Sequence, residues 1–158
     1  MPSQTTSHDE LFLTLLRRFQ DEGVQYVLVG GQAVRLNGFL RATEDVDVLL
    51  EPSRANGEKI IRALSFLESA QELDPAWFEP PSNGEVENIR VADDLIVDLL
   101  FAANGHTLED VRPHIVSLPV DGINVRVLNI DGLLKTKTDY REKDILDKAV
   151  LKKLRDAL

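Results

Sequence analysis

The order of apolar and polar segments predicts an α/β or α+β fold built on a mixed sheet. Three observations carry this. Apolar runs flanking Asp93-Asp94 and Asp121-Gly122 read as two β-hairpins. Tyr26–Val29 and Asp45–Glu51 are aliphatic enough to be buried strands. Helical spacing of apolar residues marks both ends of the chain, and helices mixed with hairpins are not the order of a regular doubly wound sheet.

Taken in order, Ser7 and Glu10 stand at capping-box spacing, and Leu11, Phe12, Leu15, Leu16 and Phe19 follow at helical intervals. A helix over about 8–22 is therefore expected, with Gly23 as its stop. Strand Tyr26–Val29 is broken by Gly30-Gly31, and Gln32–Asn37 can form a short helix before Gly38. Strand Asp45–Glu51 ends at Pro52, and Ser53 caps a helix over roughly Ala55–Leu67. Gln71–Gly84 contains Asp74-Pro75, Pro80-Pro81 and Asn83-Gly84, so it is expected to be loop, with Trp77 and Phe78 pinning it to the core.

Glu85–Val91 and Leu95–Leu100 form the first hairpin, and Thr107–Arg112 one or two helical turns. Ile115–Val120 and Ile123–Leu128 form the second hairpin, whose first strand Pro119 confines to a sheet edge. Asp131 is expected to cap a helix carrying Lys135 and Lys137, and a last helix runs from about Asp139 to the end. The 158 residues are expected to make one domain, with an N-terminal helix (about 8–22), a core (about 24–130) and a C-terminal helical segment (about 131–158).

Composition narrows the function. Hydrophobic content of 43% and charged content of 28% are those of a globular chain. There is no cysteine, so disulfides and thiolate metal sites are excluded. No apolar run approaches the ~20 residues of a membrane span, and the N-terminus shows no secretory signal. A cytoplasmic protein with no membrane partner is expected. The net charge of −9 argues against a general nucleic-acid binder. Its distribution is uneven, because residues 68–98 hold nine acids and only Arg90 as a base, whereas residues 135–155 hold eight bases against four acids. That basic stretch is either a ligand-facing surface or a solvated helix face laced with ion pairs.

The chemistry concentrates at Asp45 and Asp47, set one residue apart in an aliphatic strand. Alternation puts both on one face and Val46, Val48 and Leu50 on the other. Their Cα atoms are about 6.5–7 Å apart, so the carboxylates can converge. Asp98 stands likewise between Ile96 and Leu100 on a later strand, and joins the cluster if the two strands are neighbours. Clustered carboxylates repel unless a cation is present. Oxygen ligands without His or Cys favour Mg²⁺ or Mn²⁺. The competing reading has Asp45 as a solvated strand end and Asp47 paired with Arg41 or Arg35. Gly30-Gly31, directly after a buried strand, leaves backbone N–H groups bare for phosphate oxygens. His8, His106 and His114 have no ligand spacing, and no P-loop or Ser-His-Asp pattern is present.

The succession of strand, Gly-Gly, short helix and Asp-x-Asp, with a carboxylate on a later strand, resembles the nucleotidyltransferase superfamily with the DNA polymerase β-type palm. The segments "GGQAVRLNGFLRATEDVDV" and "DGLLKTKTDYREKDILD" are similar to motifs of small bacterial stand-alone members, including AbiEii-type toxins. The resemblance runs from about Tyr26 to Leu154. It implies a nucleotidyltransferase fold with a mixed sheet flanked by helices and a C-terminal helix.

The resemblance further implies that Gly30 and Gly31 hold the triphosphate of an NTP and that Asp45 and Asp47 bind the metals. Asp98 is the third ligand or activates the acceptor hydroxyl. Lys135 or Lys137 contacts phosphate, and Asp144 lies near the nucleotide or orients that lysine. Arg41 meets a phosphate, or else pairs with Asp45 or Glu44; Thr43 fixes the turn before the strand. Many active members have Ser where this chain has Gly31, so the grip on phosphate rests here on backbone and lysine. The expected activity is NMP transfer from an NTP to an acceptor hydroxyl, with pyrophosphate released. The acceptor is RNA or tRNA for a toxin-like member, which an antitoxin protein would neutralise, or else a protein or small molecule. The alternatives are a non-catalytic binding relic of the fold and an antibiotic-modifying enzyme.

Overall fold

The computed structural model describes residues 8–38, 45–80 and 87–157. The elements are α1 (His8–Glu22), β1 (Tyr26–Val29), α2 (Gly30–Leu36), β2 (Asp45–Leu50), α3 (Arg54–Ala63), β3 (Ile89–Ala92), β4 (Ile96–Leu100), α4 (Leu108–Val111), β5 (Ile115–Val120), β6 (Ile123–Leu128), α5 (Ile130–Thr136) and α6 (Glu142–Asp156). The six strands form one mixed sheet in the order β3-β4-β2-β1-β6-β5. β1 runs antiparallel to β2 and parallel to β6, and β2 runs parallel to β4. Both expected hairpins are present, as β3–β4 and β5–β6. Pro119, which cannot donate to a ladder, lies on edge strand β5.

The central strands are the apolar ones. All four residues of β1 are buried, as are Val46, Val48, Leu49 and Leu50 of β2. Phe12, Leu15, Leu16 and Phe19 form the buried stripe of α1, and the Phe19 ring packs on that of Tyr26 at a 48° tilt, 4.7 Å between centroids. Arg18 ties α1 to the end of α3, donating to the carbonyls of Ala63 and Arg62 and to the Ser65 hydroxyl. The last carbonyls of a helix have no donor within it, and Arg62 O also accepts from the Ser65 amide and hydroxyl.

Three expectations about elements are corrected. Trp77 is 51% exposed and does not pin the 71–84 region; Phe78 does, fully buried against Gly57 of α3, and Leu73 packs on the core as well. A Cβ at Gly57 would fall 2.6 Å from Phe78, so only glycine admits the ring. The segment itself winds into two short 3-10 turns, Glu68–Glu72 and Pro75–Phe78, because Asp74 caps the second and Pro75 suits its first position. The cap of α5 is Asn129, whose side chain accepts from Gly132 N, and not Asp131. With the helix begun there, Lys137 leaves it in extended backbone and α6 starts only at Glu142. Ser7, Arg41 and Thr43 lie outside the described residues. Among the described residues, no helix is long and apolar enough to cross a membrane.

Candidate active site

The register of the sheet assembles the carboxylates. Asp47 of β2 lies directly opposite Asp98 of β4 in a parallel pair, and opposite Val29 of β1 in an antiparallel one. Directly opposed residues share a sheet face. Asp45, Asp47 and Asp98 therefore stand together at the ends of the two strands where β1 gives way to α2. Of the alternative partners for Asp47, Arg35 instead pairs with Asp9 at 3.6 Å, and Arg41 lies outside the described residues.

Gly30 meets Asp47 at closest quarters. It has φ +67°, and a Cβ there would fall 2.0 Å from Asp47 Oδ2. The sequence therefore needs glycine twice over at this position, for the left-handed backbone and for the room. Gly30→Ala is expected to cost about 1–2 kcal/mol through the backbone alone. By crowding Oδ2 it should also push the Asp47 carboxylate out of its place beside Asp98. Urea unfolding measures the cost in stability.

Burial raises the Asp47 pKa first, and the neighbouring charge of Asp98, a hydrogen bond with it and the charge of Asp45 add to this; Lys137 pulls the other way. The carboxyl is pushed up to about 6. The site is thus anionic, and the cations Lys137 and Arg90 stand close to its carboxylates.

These carboxylates line a cleft of about 500 Å³, together with Gly30, Gly31, Lys137 and Asp144. The far wall is the segment between α5 and α6. There Lys137 Nζ donates to Asp147 Oδ2 at 3.0 Å and lies 3.8 Å from Asp144 Oδ1. Asp144 in turn accepts from the Thr138 amide and hydroxyl. Burial alone would raise the Asp144 pKa, but the Thr138 hydrogen bonds and Lys137 outweigh it and hold the group low. Asn104, itself in left-handed backbone, donates to the carbonyls of Lys135 and Lys137 and so fixes the chain on either side of the lysine turn.

The structure brings together Gly30, Gly31, Asp45, Asp47, Asp98, Lys137 and Asp144. Lys135 does not join them; it is exposed on α5 and is not part of the cleft wall. Four cleft or supporting residues escape a reading of the sequence alone: Arg90, Asn104, Tyr140 and Asp147. Asp147 had a signal, because it follows Asp144 by three residues on one helix and so shares its face. Tyr140 is 81% exposed at the cleft and had none.

The donor set fits a divalent cation in kind. It is all oxygen, and Gly30 keeps open the space beside Asp47. Among the described residues, no three carboxylate, His or Cys side chains stand as a ready-made cage. Mg²⁺ seldom needs one, since it takes one or two carboxylates and completes its shell with water and substrate phosphates. The arrangement can therefore hold a metal-bound polyphosphate between the carboxylates and Lys137.

No protein-family model matches the sequence, and no curated protein sequence does. Solved structures do match along nearly the whole length. The lincosamide antibiotic adenylyltransferase LnuA, with lincomycin bound, is 16% identical, with a TM-score of 0.60 over 96% of this chain and 99% of that one. The antibiotic-resistance factor ANT(2'')-Ia, in complex with adenylyl-2''-tobramycin, is 15% identical, with a TM-score of 0.56 over 96% and 97%. TM1012 from Thermotoga maritima, named as a candidate nucleotidyltransferase, is 14% identical, with a TM-score of 0.54 over 95% and 89%. The likeness to AbiEii-type toxins rests on the sequence motifs alone. At these identities what is shared is the fold, and the fold of this chain is that of the nucleotidyltransferases.

Proposed function

We propose that this protein is a metal-dependent nucleotidyltransferase that moves NMP from an NTP to an acceptor hydroxyl. The observation that carries the reading is the register pairing Asp47 with Asp98, which gathers three carboxylates at the mouth of a cleft also lined by Gly30, Gly31 and Lys137. Asp45 and Asp47, with Asp98, would hold Mg²⁺ or Mn²⁺. Bound there, the ion supplies neutralisation of the charge on the reacting phosphate.

The chain's own residues do the rest. Val29 gives α2 no side-chain cap, so the first amides of the helix are left for phosphate oxygens at Gly30 and Gly31. Lys137 adds a fixed positive charge at the opposite wall. Asp98 would take the proton of the acceptor hydroxyl. The hydroxyl oxygen bonds to the α-phosphorus, the bond from that phosphorus to the bridging oxygen breaks, and pyrophosphate leaves. Catalysis is positioning and charge compensation, in keeping with a site made of rigid sheet and one buried lysine.

For the acceptor, a small hydroxylated molecule is favoured by the whole-length match to LnuA and ANT(2'')-Ia, structures that hold lincomycin and an adenylylated tobramycin. A second reading, RNA, is supported by Arg141 and Lys143 on the cleft wall beside exposed Tyr140. A toxin with a partner antitoxin belongs to that second reading.

The test is incubation with each α-³²P-labelled NTP and Mg²⁺, offering total RNA in one arm and pooled hydroxylated small molecules, lincosamides and aminoglycosides among them, in another. Label is expected in the small-molecule arm. Label in RNA would select the second reading. Tight metal–NTP binding with no label in any arm would show a binding relic and end the enzyme proposal.

A further inference from the structure

The carboxylate cluster already contains a cation of the chain's own. Arg90 of β3 lies directly opposite Asp98, so Arg90, Asp98 and Asp47 form one row across three adjacent strands. Its guanidinium stands 3.4 Å from Asp45 Oδ2 and 3.6 Å from Asp98 Oδ1, bridging two carboxylates that belong to different strands. Arg90 is the only base among residues 68–98. It is also half exposed, on an edge strand, and lines the cleft, so its long side chain can leave without breaking the core.

We propose that Arg90 is a placeholder cation: it competes with the divalent ion for Asp45 and Asp98, and passes to the triphosphate when metal and nucleotide enter together. This rests on the metal-dependent reading above. The physical reasoning is one of charge balance. Without Arg90, the row would present carboxylates whose repulsion any free divalent ion relieves. With it, the free ion must displace an ion pair and gains less. A metal–NTP complex brings both the ion for the carboxylates and phosphate oxygens for the guanidinium, which binds them in a planar fork. The bridge therefore makes the site selective for the metal–nucleotide complex over the free metal. It also accounts for carboxylates that are gathered but do not stand as a closed cage.

The experiment is Mn²⁺ titration of the nucleotide-free protein, with free Mn²⁺ counted by electron paramagnetic resonance. Wild type, Arg90→Gln, Arg90→Lys and the Asp45→Asn/Asp47→Asn pair are compared, each checked for folding by circular dichroism. Arg90→Gln is expected to bind Mn²⁺ about three- to fivefold tighter than wild type, the scale of one screened ion pair. Arg90→Lys, which keeps the charge, is expected to stay near wild type. With a non-hydrolysable NTP analogue present, the advantage of Arg90→Gln is expected to vanish.

Equal or weaker Mn²⁺ binding by Arg90→Gln, while the aspartate pair loses it, overturns the placeholder and leaves the metal reading standing. Persistence of that advantage with nucleotide present overturns the hand-over to phosphate. Mn²⁺ binding that survives in the aspartate pair overturns the metal reading, and this proposal with it.

Discussion

Asp47→Asn is expected to reduce nucleotidyl transfer about 10³-fold while stabilising the metal-free protein above pH 6. The two effects have one cause, because the residue is a charge placed where the fold does not favour it. Burial, Asp98 and Asp45 hold its carboxyl at about 6, above the ordinary 3.8. Between those values the unfolded chain gives up the proton first. The folded state binds more protons there, so stability falls as pH rises through this window and levels off above it. The gap amounts to a ceiling of about 3 kcal/mol, shared among the interacting carboxylates.

Asparagine removes the charge and with it most of that slope. In EDTA, the wild-type melting temperature is expected to drop between pH 5 and pH 7.5, and that of Asp47→Asn to drop less. Adding Mn²⁺ with an NTP at pH 7.5 should raise the wild-type midpoint and leave the variant unmoved. Identical pH slopes in the two proteins would remove the electrostatic account of the site. The loss of activity follows because the amide cannot carry the charge that a metal-bound triphosphate needs opposite it.

Lys137→Met is expected to be the most destabilising single change in the cleft, at about 3–5 kcal/mol. Lys137, Asp144 and Asp147 have side chains only 6%, 10% and 5% exposed. Removing this cation takes the ion pair from two buried carboxylates, although the Thr138 hydrogen bonds and the charge of Arg141 still favour the ionised Asp144. The same change is expected to abolish the proposed transfer, but a fall in activity alone would not separate a lost phosphate contact from a lost fold. The double variant Lys137→Met/Asp147→Asn makes the separation. It removes the partner charge along with the lysine, so most of the stability is expected to return while activity does not. Urea midpoints and initial rates on the three proteins measure this. Recovery of both together would mean that the lysine only holds the C-terminal segment in place. Failure to recover stability would mean that Asp144, not Asp147, is the charge that needs it.

The fold was legible in this sequence to the extent that it is written in local patterns. Alternation in the Asp45–Leu50 and Ile96–Leu100 strands shows which side chains share a face, and Ser53 and Gly23 mark helix ends whatever surrounds them. Trp77 and Lys135 were not legible in the same way. Whether an aromatic ring is buried, or a lysine reaches a cleft, depends on what packs nearby, and no local pattern encodes that.

The site divides along the same line. By itself, the sequence determined that Asp45 and Asp47 lie on one face of a strand following Gly30-Gly31, since backbone alternation needs no partner. It left Asp98 conditional on which strands are neighbours, and only the tertiary structure decided that β2 and β4 are adjacent with Asp47 opposite Asp98. Arg90 shows how fine that decision is. A two-residue turn at Asp93-Asp94 would have set it opposite Val97, on the buried face. The turn takes in Leu95 as well, and this one extra residue places Arg90 opposite Asp98. Strand register is set by long-range packing and turn geometry, and a shift of one residue sends a side chain to the other face of the sheet.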